Sequence, residues 1–359
     1  MLKHKTFIAF TFFLIPLLIH AQPMQRDIDF SQVDSFARSI RFKNDVYNLT
    51  KELTSPYTDQ LLQVRAIFVW ITDNIGYDYK FINKEKELKF PECKPGEDCK
   101  QVRDEWEKVY IRKILKNKEA ICDGYVRVFK KMCDIAGIKC DIIGGYTKTK
   151  PYQVGMAGSV HHAWNAVYID SAWHLLDATW AAGGCAEDEE TGKLLPFHKR
   201  FNNYYWFTPF HDFTRDHYPK EAKWVFEANY TKDKFADNPW YVGDILPKIN
   251  LLSPASGVIN AKKGDTLHFS FDYQETITHL QINSNVFRNP AIWHVEEVGK
   301  HKKVMVKDTF AIKRQVYIPF ERTGNRYTFD CIVTDNSLYY LDILIDDRRA
   351  MRFNVKIKS

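Results

Sequence analysis

Beyond residue 19 the sequence lacks any apolar run long enough to cross a membrane, because a transmembrane helix needs about 20 consecutive apolar residues. It also lacks a block of clustered basic residues: 51 Lys and Arg stand against 45 Asp and Glu, for a formal net charge of +6. Phosphate recognition needs clustered Lys and Arg, so a nucleic-acid partner is not expected. Internal repeats and low-complexity tracts are absent as well. What is there is an ordinary globular composition, in a chain of 359 residues that is long enough for two domains.

The first 21 residues differ from that composition. Lys3 and Lys5 precede an apolar run from Phe7 to Ile19. A positive start followed by a short apolar run is typical of a cleavable signal peptide, and this run is too short for a membrane span. Removal of residues 1–21 takes away two lysines and no acidic residue, so the net charge falls from +6 to +4. We expect a secreted or periplasmic protein, with an uncleaved N-terminal anchor as the alternative.

Seven cysteines occur in the sequence, at positions 93, 99, 122, 133, 140, 185 and 331. Disulfides form in exported proteins, and an odd number leaves at least one thiol free, for which Cys122 is the candidate. Cys93 and Cys99 lie in a turn-rich loop and either form a short disulfide or stay as two free thiols. Their spacing is not that of a zinc site and no second pair follows, so we expect no metal and no cofactor.

Helical spacing dominates the first third of the chain. Residues 34–75 repeat apolar side chains at intervals of three and four, which predicts a group of helices. Residues 81–118 are rich in Lys and Glu and indicate an exposed insertion that ends in a helix near residues 105–116. A further helix is predicted to begin at or just before Cys122 and to end at Gly137, because glycine is favoured as a helix C-cap.

After Gly137 the apolar period changes from helical spacing to two. This change predicts strands over residues 138–146, 163–169 and 173–179. Aromatic residues are dense between residues 201 and 240, which we interpret as packing against that sheet.

Near residue 246 the composition becomes typical of a linker, and short β-like runs follow it to the C-terminus. The predicted fold class is therefore α+β: helices packed on an antiparallel sheet, then an all-β, sandwich-like domain. The predicted segments are a signal peptide over 1–21, a first domain over 22–245 and a second domain over 246–359.

Cys122, His162 and Asp177 follow one another along the chain as the three residue types of a thiol acyl-transfer site. A thiolate is a strong nucleophile, and an imidazole oriented by a carboxylate both favours the thiolate and carries the proton. The first turn of a helix adds the positive end of the helix dipole near Cys122. Taken singly, each residue also has a purely structural interpretation, as a packed cysteine, a hydrogen-bonded histidine or a locally satisfied aspartate. A metal site made of the same three residues is ranked lower.

Strand parity distinguishes His162 from His161. If Asp170 and Ser171 form a two-residue hairpin loop, His162 and Asp177 lie on the same face of neighbouring strands. Their diagonal separation of roughly 7–8 Å is within reach of an imidazole–carboxylate hydrogen bond. His161 points to the opposite face, so His162 is the predicted partner of Asp177.

Three ordered motifs resemble the core of the transglutaminase-like superfamily, whose fold is related to papain. The motifs are residues 120–125, 162–167 and 173–180, and residues 65–79 resemble the helix that precedes the site in that family. Residues 201–207, together with 217–219 and Trp224, are similar to the kyphoscoliosis-peptidase-like branch. The resemblance implies a papain-like core with Cys122 as nucleophile, His162 as general base and acid, and Asp177 as the residue that orients His162.

The combined expectation is an exported thiol enzyme that acts on amide bonds of a protein or peptide substrate through an acyl-enzyme. Hydrolysis, as in a peptidase or amidase, is preferred because water is always available. The backbone N–H of Cys122 is the expected first oxyanion donor, and the second donor is open. The alternatives are a protein-glutamine acyltransferase, which would cross-link to an amine, and a non-catalytic module that binds proteins.

Overall fold

The computed structural model describes residues 28–43, 45–188, 190–298 and 302–358. The predicted signal peptide over residues 1–21 lies outside the described residues. Among the helices of these four ranges, none is both long enough and apolar enough to pass through a bilayer. Helices dominate residues 31–136 and mostly antiparallel strands dominate from residue 140 onward, so the fold is α+β, as predicted.

Ten α-helices occur in the described ranges. They are α1 (Ser31–Ser39), α2 (Val46–Thr54), α3 (Gln60–Asn74), α4 (Tyr79–Asn83), α5 (Cys99–Asn117), α6 (Cys122–Ala136), α7 (Ala178–Ala182), α8 (Phe210–Phe213), α9 (Lys232–Ala236) and α10 (Thr309–Lys313). Single 3₁₀ turns occur at Pro151–Gln153, Asn203–Tyr205, Ala222–Trp224 and Leu246–Lys248.

Nineteen β-strands, several of only two or three residues, occur in the same ranges. They are β1 (Gly76–Tyr77), β2 (Glu119–Ala120), β3 (Cys140–Thr147), β4 (His162–Ile169), β5 (Ala172–Leu176), β6 (Gly183–Gly184), β7 (His198–Lys199), β8 (His217–Pro219), β9 (Trp240–Tyr241), β10 (Ile249–Ser253), β11 (Val258–Ala261), β12 (Thr266–Tyr273), β13 (Leu280–Ser284), β14 (Trp293–Val298), β15 (Lys302–Lys307), β16 (Glu321–Thr323), β17 (Arg326–Ile332), β18 (Tyr340–Ile345) and β19 (Arg348–Ile357).

The first hydrophobic core lies between the helices and a four-stranded antiparallel sheet with the order β5-β4-β3-β8. Helix α3 is at its centre: every residue from Val64 to Thr72 is buried, as expected for a helix that is covered on all sides. Its buried Arg65 donates to both carboxylate oxygens of Asp34 at 2.7 Å and to Asn203 at 2.6 Å. These bonds join α3 to α1 and to the turn that begins at Asn203.

Two sequence predictions about this sheet and its main helix are confirmed. Helix α6 ends at Gly137, whose φ of 75° is the left-handed conformation that glycine adopts without strain. The β4–β5 hairpin pairs Ile169 with Ala172, so Asp170 and Ser171 form a two-residue loop, and both have positive φ. That is the turn geometry that matches the twist of the strands on either side.

The described C-terminal residues contain three further sheets: two larger ones, with the orders β10-β12-β17-β16 and β11-β19-β18-β13, and the two-stranded β14-β15. Side chains of the two larger sheets share a second hydrophobic cluster, which includes Phe269, Phe271, Tyr327 and Phe353. Strand β9 pairs with β19 at Met351 and Arg352. The division of the chain at residues 245 and 246 stays a prediction.

A disulfide joins Cys93, in the loop before α5, to Cys99, the first residue of α5. Of the two arrangements that the sequence left open, the structure therefore has the short disulfide. The other five cysteines are free, and among them Cys122 is partly accessible whereas Cys133 and Cys140 are buried.

Gly145 in β3 has no room for a side chain. A Cβ atom there would lie 2.3 Å from the ring of Trp164 and 2.3 Å from the backbone oxygen of Tyr218, whereas one at Gly144 would meet only Val160, at 4.0 Å. We expect Gly145→Ala to lower the free energy of unfolding by about 1–3 kcal/mol, as overpacking does. Urea denaturation would measure the change, with Gly144→Ala as the matched control. Equal stability of the two variants would contradict the prediction.

Candidate active site

Cys122 is the first residue of α6 and is partly exposed. The residue before it, Ile121, offers no side-chain acceptor to the helix, so the N–H groups of the first turn have no side-chain cap. Such a helix start stabilises a negative charge. The carboxylate of Asp123 beside it is paired with Arg127 at 2.8 Å, which offsets its charge.

Two buried hydrogen bonds hold α6 in place relative to its neighbours. The amide nitrogen of Asn165 in β4 donates to the backbone oxygen of Val126 at 3.2 Å. The hydroxyl of Tyr125 donates to the backbone oxygen of Ile75 at 2.6 Å. The helix that carries Cys122 is thereby fixed against the strand that begins at His162.

His162 and Asp177 are in direct contact. The Nε2 atom of His162 lies 2.6 Å from Oδ2 of Asp177, and both side chains are buried. With Nε2 held in this way, Nδ1 is the ring nitrogen left to exchange a proton with Cys122. The structure thus brings the predicted histidine and aspartate together, as strand parity required, and places His162 within interaction range of Cys122.

Asp177 does not lie in a strand, although the sequence predicted one over residues 173–179. Strand β5 ends at Leu176, and Asp177 is the N-cap of α7. Its Oδ1 accepts from the backbone N–H groups of Thr179 at 2.8 Å and Trp180 at 3.1 Å. The strand prediction was wrong at its end because an aspartate side chain that accepts from the second and third helical N–H groups starts a helix.

Charges of opposite sign control the protonation of the buried pair. Burial, the largest single influence, lowers the pKa of His162, but Asp177 and Cys122 together outweigh it and raise this pKa to about 10. Burial alone would raise the pKa of Asp177, but His162 and His217 hold it well below its usual range. Both shifts favour a protonated His162 next to an ionised Asp177.

His217 belongs to the same cluster, and the sequence did not identify it as a site residue. Its Nε2 lies 3.2 Å from Oδ2 of Asp177, and its Nδ1 lies 2.5 Å from Oδ1 of Asp216. His217 follows Asp177 by 40 positions, and the chain between them is not one strand hairpin, so alternation of side chains along a strand cannot predict that they meet. The available signal was the adjacent pair Asp216-His217 in a segment rich in aromatic residues.

The only group of side chains in the described ranges that could hold a metal ion is His162, Asp177 and His217. Two ligands of a tetrahedral zinc ion with bonds of about 2 Å lie about 3.3 Å apart. The 2.6 Å between His162 and Asp177 is shorter than that and is the distance of a charge-assisted hydrogen bond. The arrangement fits proton transfer better than metal binding.

The motifs that hold these residues fall within a known family. Residues 47–178 match the family model of the transglutaminase-like superfamily. The chain carries a transglutaminase-like domain. The predicted resemblance is confirmed, and Cys122, His162 and Asp177 lie inside the matched range whereas His217 lies beyond it.

Relatives of the transglutaminase-like domain include kyphoscoliosis peptidases, which supports the predicted branch. The mouse protein is 32% identical over 197 residues, which cover 54% of this chain and 26% of the relative. The human protein is 30% identical over 239 residues, which cover 66% of this chain and 32% of the relative. The chain thus spans about a third or less of these relatives. A solved structure described as a TGase is 14% identical, covers 47% of this chain and 37% of its own, and has a TM-score of 0.26, too low to carry any argument.

Proposed function

We propose that the protein is an exported thiol enzyme that cleaves amide bonds of proteins or peptides through Cys122, His162 and Asp177. The observation that carries the proposal is the 2.6 Å contact between His162 and Asp177, which leaves Nδ1 of the imidazole for Cys122 at the start of α6. The match of residues 47–178 to the transglutaminase-like superfamily supports thiol chemistry. The name of the kyphoscoliosis peptidases is in line with amide hydrolysis.

In the first half of the reaction the sulfur of Cys122 attacks the carbonyl carbon of the amide, with the proton already on His162. A tetrahedral oxyanion forms, for which the backbone N–H of Cys122 is the proposed first donor. The C–N bond then breaks, and the leaving nitrogen takes the proton from Nδ1 of His162. The products of this half are a free amine and a thioester on Cys122.

In the second half a water molecule gives a proton to Nδ1 of His162 and its oxygen attacks the thioester carbon. The C–S bond breaks, a carboxylic acid leaves, and the thiolate of Cys122 returns beside a protonated His162. Asp177 stays ionised throughout and orients the imidazole. A primary amine in place of water would complete an acyl transfer by the same steps.

A cavity of about 300 Å³ lies beside the start of α6, next to the proposed nucleophile, although Cys122, His162 and Asp177 do not line it. Ala120 and Ile121, which directly precede Cys122, line it together with Phe81, Trp106 and Tyr110. Small-molecule and side-chain sites are mostly apolar with a few polar groups, and this lining has that character. We expect the enzyme to prefer a bulky apolar side chain near the reacting amide.

Export is supported by two features outside the site. The first is the signal-peptide pattern of residues 1–21, and the second is the Cys93–Cys99 disulfide, which needs an oxidising compartment to persist.

The proposal is tested by weighing the products formed from a peptide library, with and without a primary amine, for the wild type and Cys122→Ala. We expect hydrolysis of peptides that contain bulky apolar residues, and no product with the variant. Amine-containing products from glutamine peptides would instead identify an acyltransferase. If the wild type forms no product with any peptide, the enzyme proposal fails, and a protein-binding role gains support.

A further inference from the structure

His217 faces an aspartate side chain at each of its two ring nitrogens. Nε2 lies 3.2 Å from Asp177 and Nδ1 lies 2.5 Å from Asp216. The charges around Asp177 hold its pKa well below its usual range, and an ionised carboxylate only accepts hydrogen bonds, so Nε2 of His217 donates to Asp177. The side chain of His217 is fully buried, so its ring nitrogens depend on Asp177 and Asp216 rather than on water for hydrogen bonds.

Asp177 accepts four hydrogen bonds, which use the full capacity of a carboxylate. Its Oδ1 accepts from the backbone N–H groups of Thr179 and Trp180, and its Oδ2 accepts from His162 and His217. Three of these four donors hold the carboxylate in place, and the fourth is the imidazole that it orients. Any rotation of Asp177 would break several of these bonds at once.

We propose that His217 is a positioning residue that holds the Asp177 carboxylate in the orientation that aligns His162 with Cys122. The inference rests on the proposed function. It assigns to His217 a task that neither the matched family range, which ends at residue 178, nor the cysteine-histidine-aspartate pattern includes.

His217 is itself held in place by a closed ring of hydrogen bonds. Asp216 accepts from His217 and also accepts from the hydroxyl of Tyr205 at 2.8 Å. The backbone oxygen of Tyr205 in turn accepts from the backbone N–H of Asp177 at 3.0 Å. The ring therefore returns to Asp177, so the distance between Asp177 and His217 is set from both sides.

Aromatic rings exclude water from His217. Phe213 stacks on the imidazole of His217 with the ring centroids 4.3 Å apart, and the ring centroid of Trp180 lies 4.4 Å from that of the imidazole. Burial lowers the pKa of His217, but Asp216 and Asp177 outweigh it, so the net direction is upward. The titratable groups that face His217 are these two carboxylates, His162 and Tyr205.

Two substitutions separate the hydrogen bond of His217 from its charge and its packing. His217→Phe keeps a planar ring but removes the donor to Asp177. His217→Gln removes the charge equally but keeps an N–H group that can reach Asp177. Both variants would be compared with the wild type for kcat and KM on the library peptide that is cleaved fastest. Proton NMR would follow the downfield N–H of the His162–Asp177 hydrogen bond.

The expected result is a fall in kcat of about tenfold to a hundredfold for His217→Phe at unchanged KM, with substantial recovery in His217→Gln. The downfield proton should be lost or broadened in His217→Phe and retained in His217→Gln. Equal kcat in the two variants, or a wild-type kcat in folded His217→Phe, overturns the proposal.

Two further outcomes are distinguishable. If His217→Phe does not fold, Tyr205→Phe replaces it, since it removes only the donor to Asp216; kcat must then fall by about threefold to tenfold, and an unchanged kcat overturns the proposal. If the wild type turns over no peptide, the proposed function fails by itself. The downfield proton then decides about His217: its persistence in His217→Phe overturns the positioning task, and its selective loss there supports it.

Discussion

Alkylation of Cys122 by iodoacetamide at pH 6 is expected to slow by roughly a hundredfold in His162→Ala. Iodoacetamide reacts with the thiolate, and without the imidazole we expect Cys122 to behave as an ordinary thiol, which has a pKa of about 8.5 and is only rarely a thiolate at pH 6. In the wild type the imidazolium of His162 lies beside Cys122, and the uncapped start of α6 adds further positive potential. The rate at each cysteine would be measured by mass spectrometry of peptides after timed labelling. The same variant should lose peptide hydrolysis, because no group remains to protonate the leaving amine.

The matched control is His161→Ala, one residue away. His161 is exposed, and its ring nitrogens lie 3.0 Å from the Thr147 hydroxyl and 2.7 Å from the backbone oxygen of Ser159. We expect labelling and hydrolysis to stay within about twofold of the wild type, as for an exposed substitution away from the site. Cys185 and Cys331 serve as internal references, since burial raises the pKa of both thiols and should keep them slow. If Cys122 reacts equally fast with and without His162, the prediction that His162 favours the thiolate of Cys122 is wrong.

Asp177→Asn is expected to lower kcat by roughly 10³–10⁴, in the range known for loss of the carboxylate of a catalytic triad. The fold should tolerate the change, because asparagine is as good an N-cap as aspartate and can keep the bonds to Thr179 and Trp180. The charge that raises the pKa of His162 is removed, whereas the burial that lowers this pKa remains.

The pH dependence of kcat/KM depends on how Asp177 shifts the pKa of His162. His162 must be protonated to act as the acid, and its pKa of about 10 means that kcat/KM of the wild type should fall as the pH rises through about 10. In Asp177→Asn this alkaline limb should move to lower pH. Asp308→Asn is the control, because Asp308 caps α10 with the same two backbone bonds in the C-terminal residues. An alkaline limb that stays at about 10 in Asp177→Asn would show that Asp177 does not control the proton of His162.

Several features of the site could be predicted because they depend on near neighbours in the chain. The β4–β5 register follows from a two-residue loop at Asp170 and Ser171, and the period of two in a strand then sets the face of each side chain. The end of α6 follows from the glycine at position 137. The choice of His162 over His161 as the neighbour of Asp177 depends on this local geometry alone.

The end of β5 was predicted less well, because two local rules compete there. The apolar alternation favours a strand through Thr179, whereas the side chain of Asp177 accepts from two backbone N–H groups and starts α7. The helix start is favoured over the strand, because one set of hydrogen bonds then satisfies both the buried carboxylate of Asp177 and the first N–H groups of α7. His162 and Asp177 still meet, since the aspartate lies one residue beyond the paired strand.

Chain order and local pattern therefore predicted the three candidate side chains, Cys122, His162 and Asp177, and the face on which His162 and Asp177 lie. Folding at long range decided how Asp177 is held. Its contact with His217 joins residues 40 positions apart, and the ring through Asp216 and Tyr205 closes only when β8 lies beside β3. The described residues between 178 and 216 form short helices, short strands, turns and loops rather than one regular strand or helix, so no sequence period predicts where His217 lies relative to Asp177. Packing against Trp180 and Phe213, together with the need to pair buried charges, sets it instead.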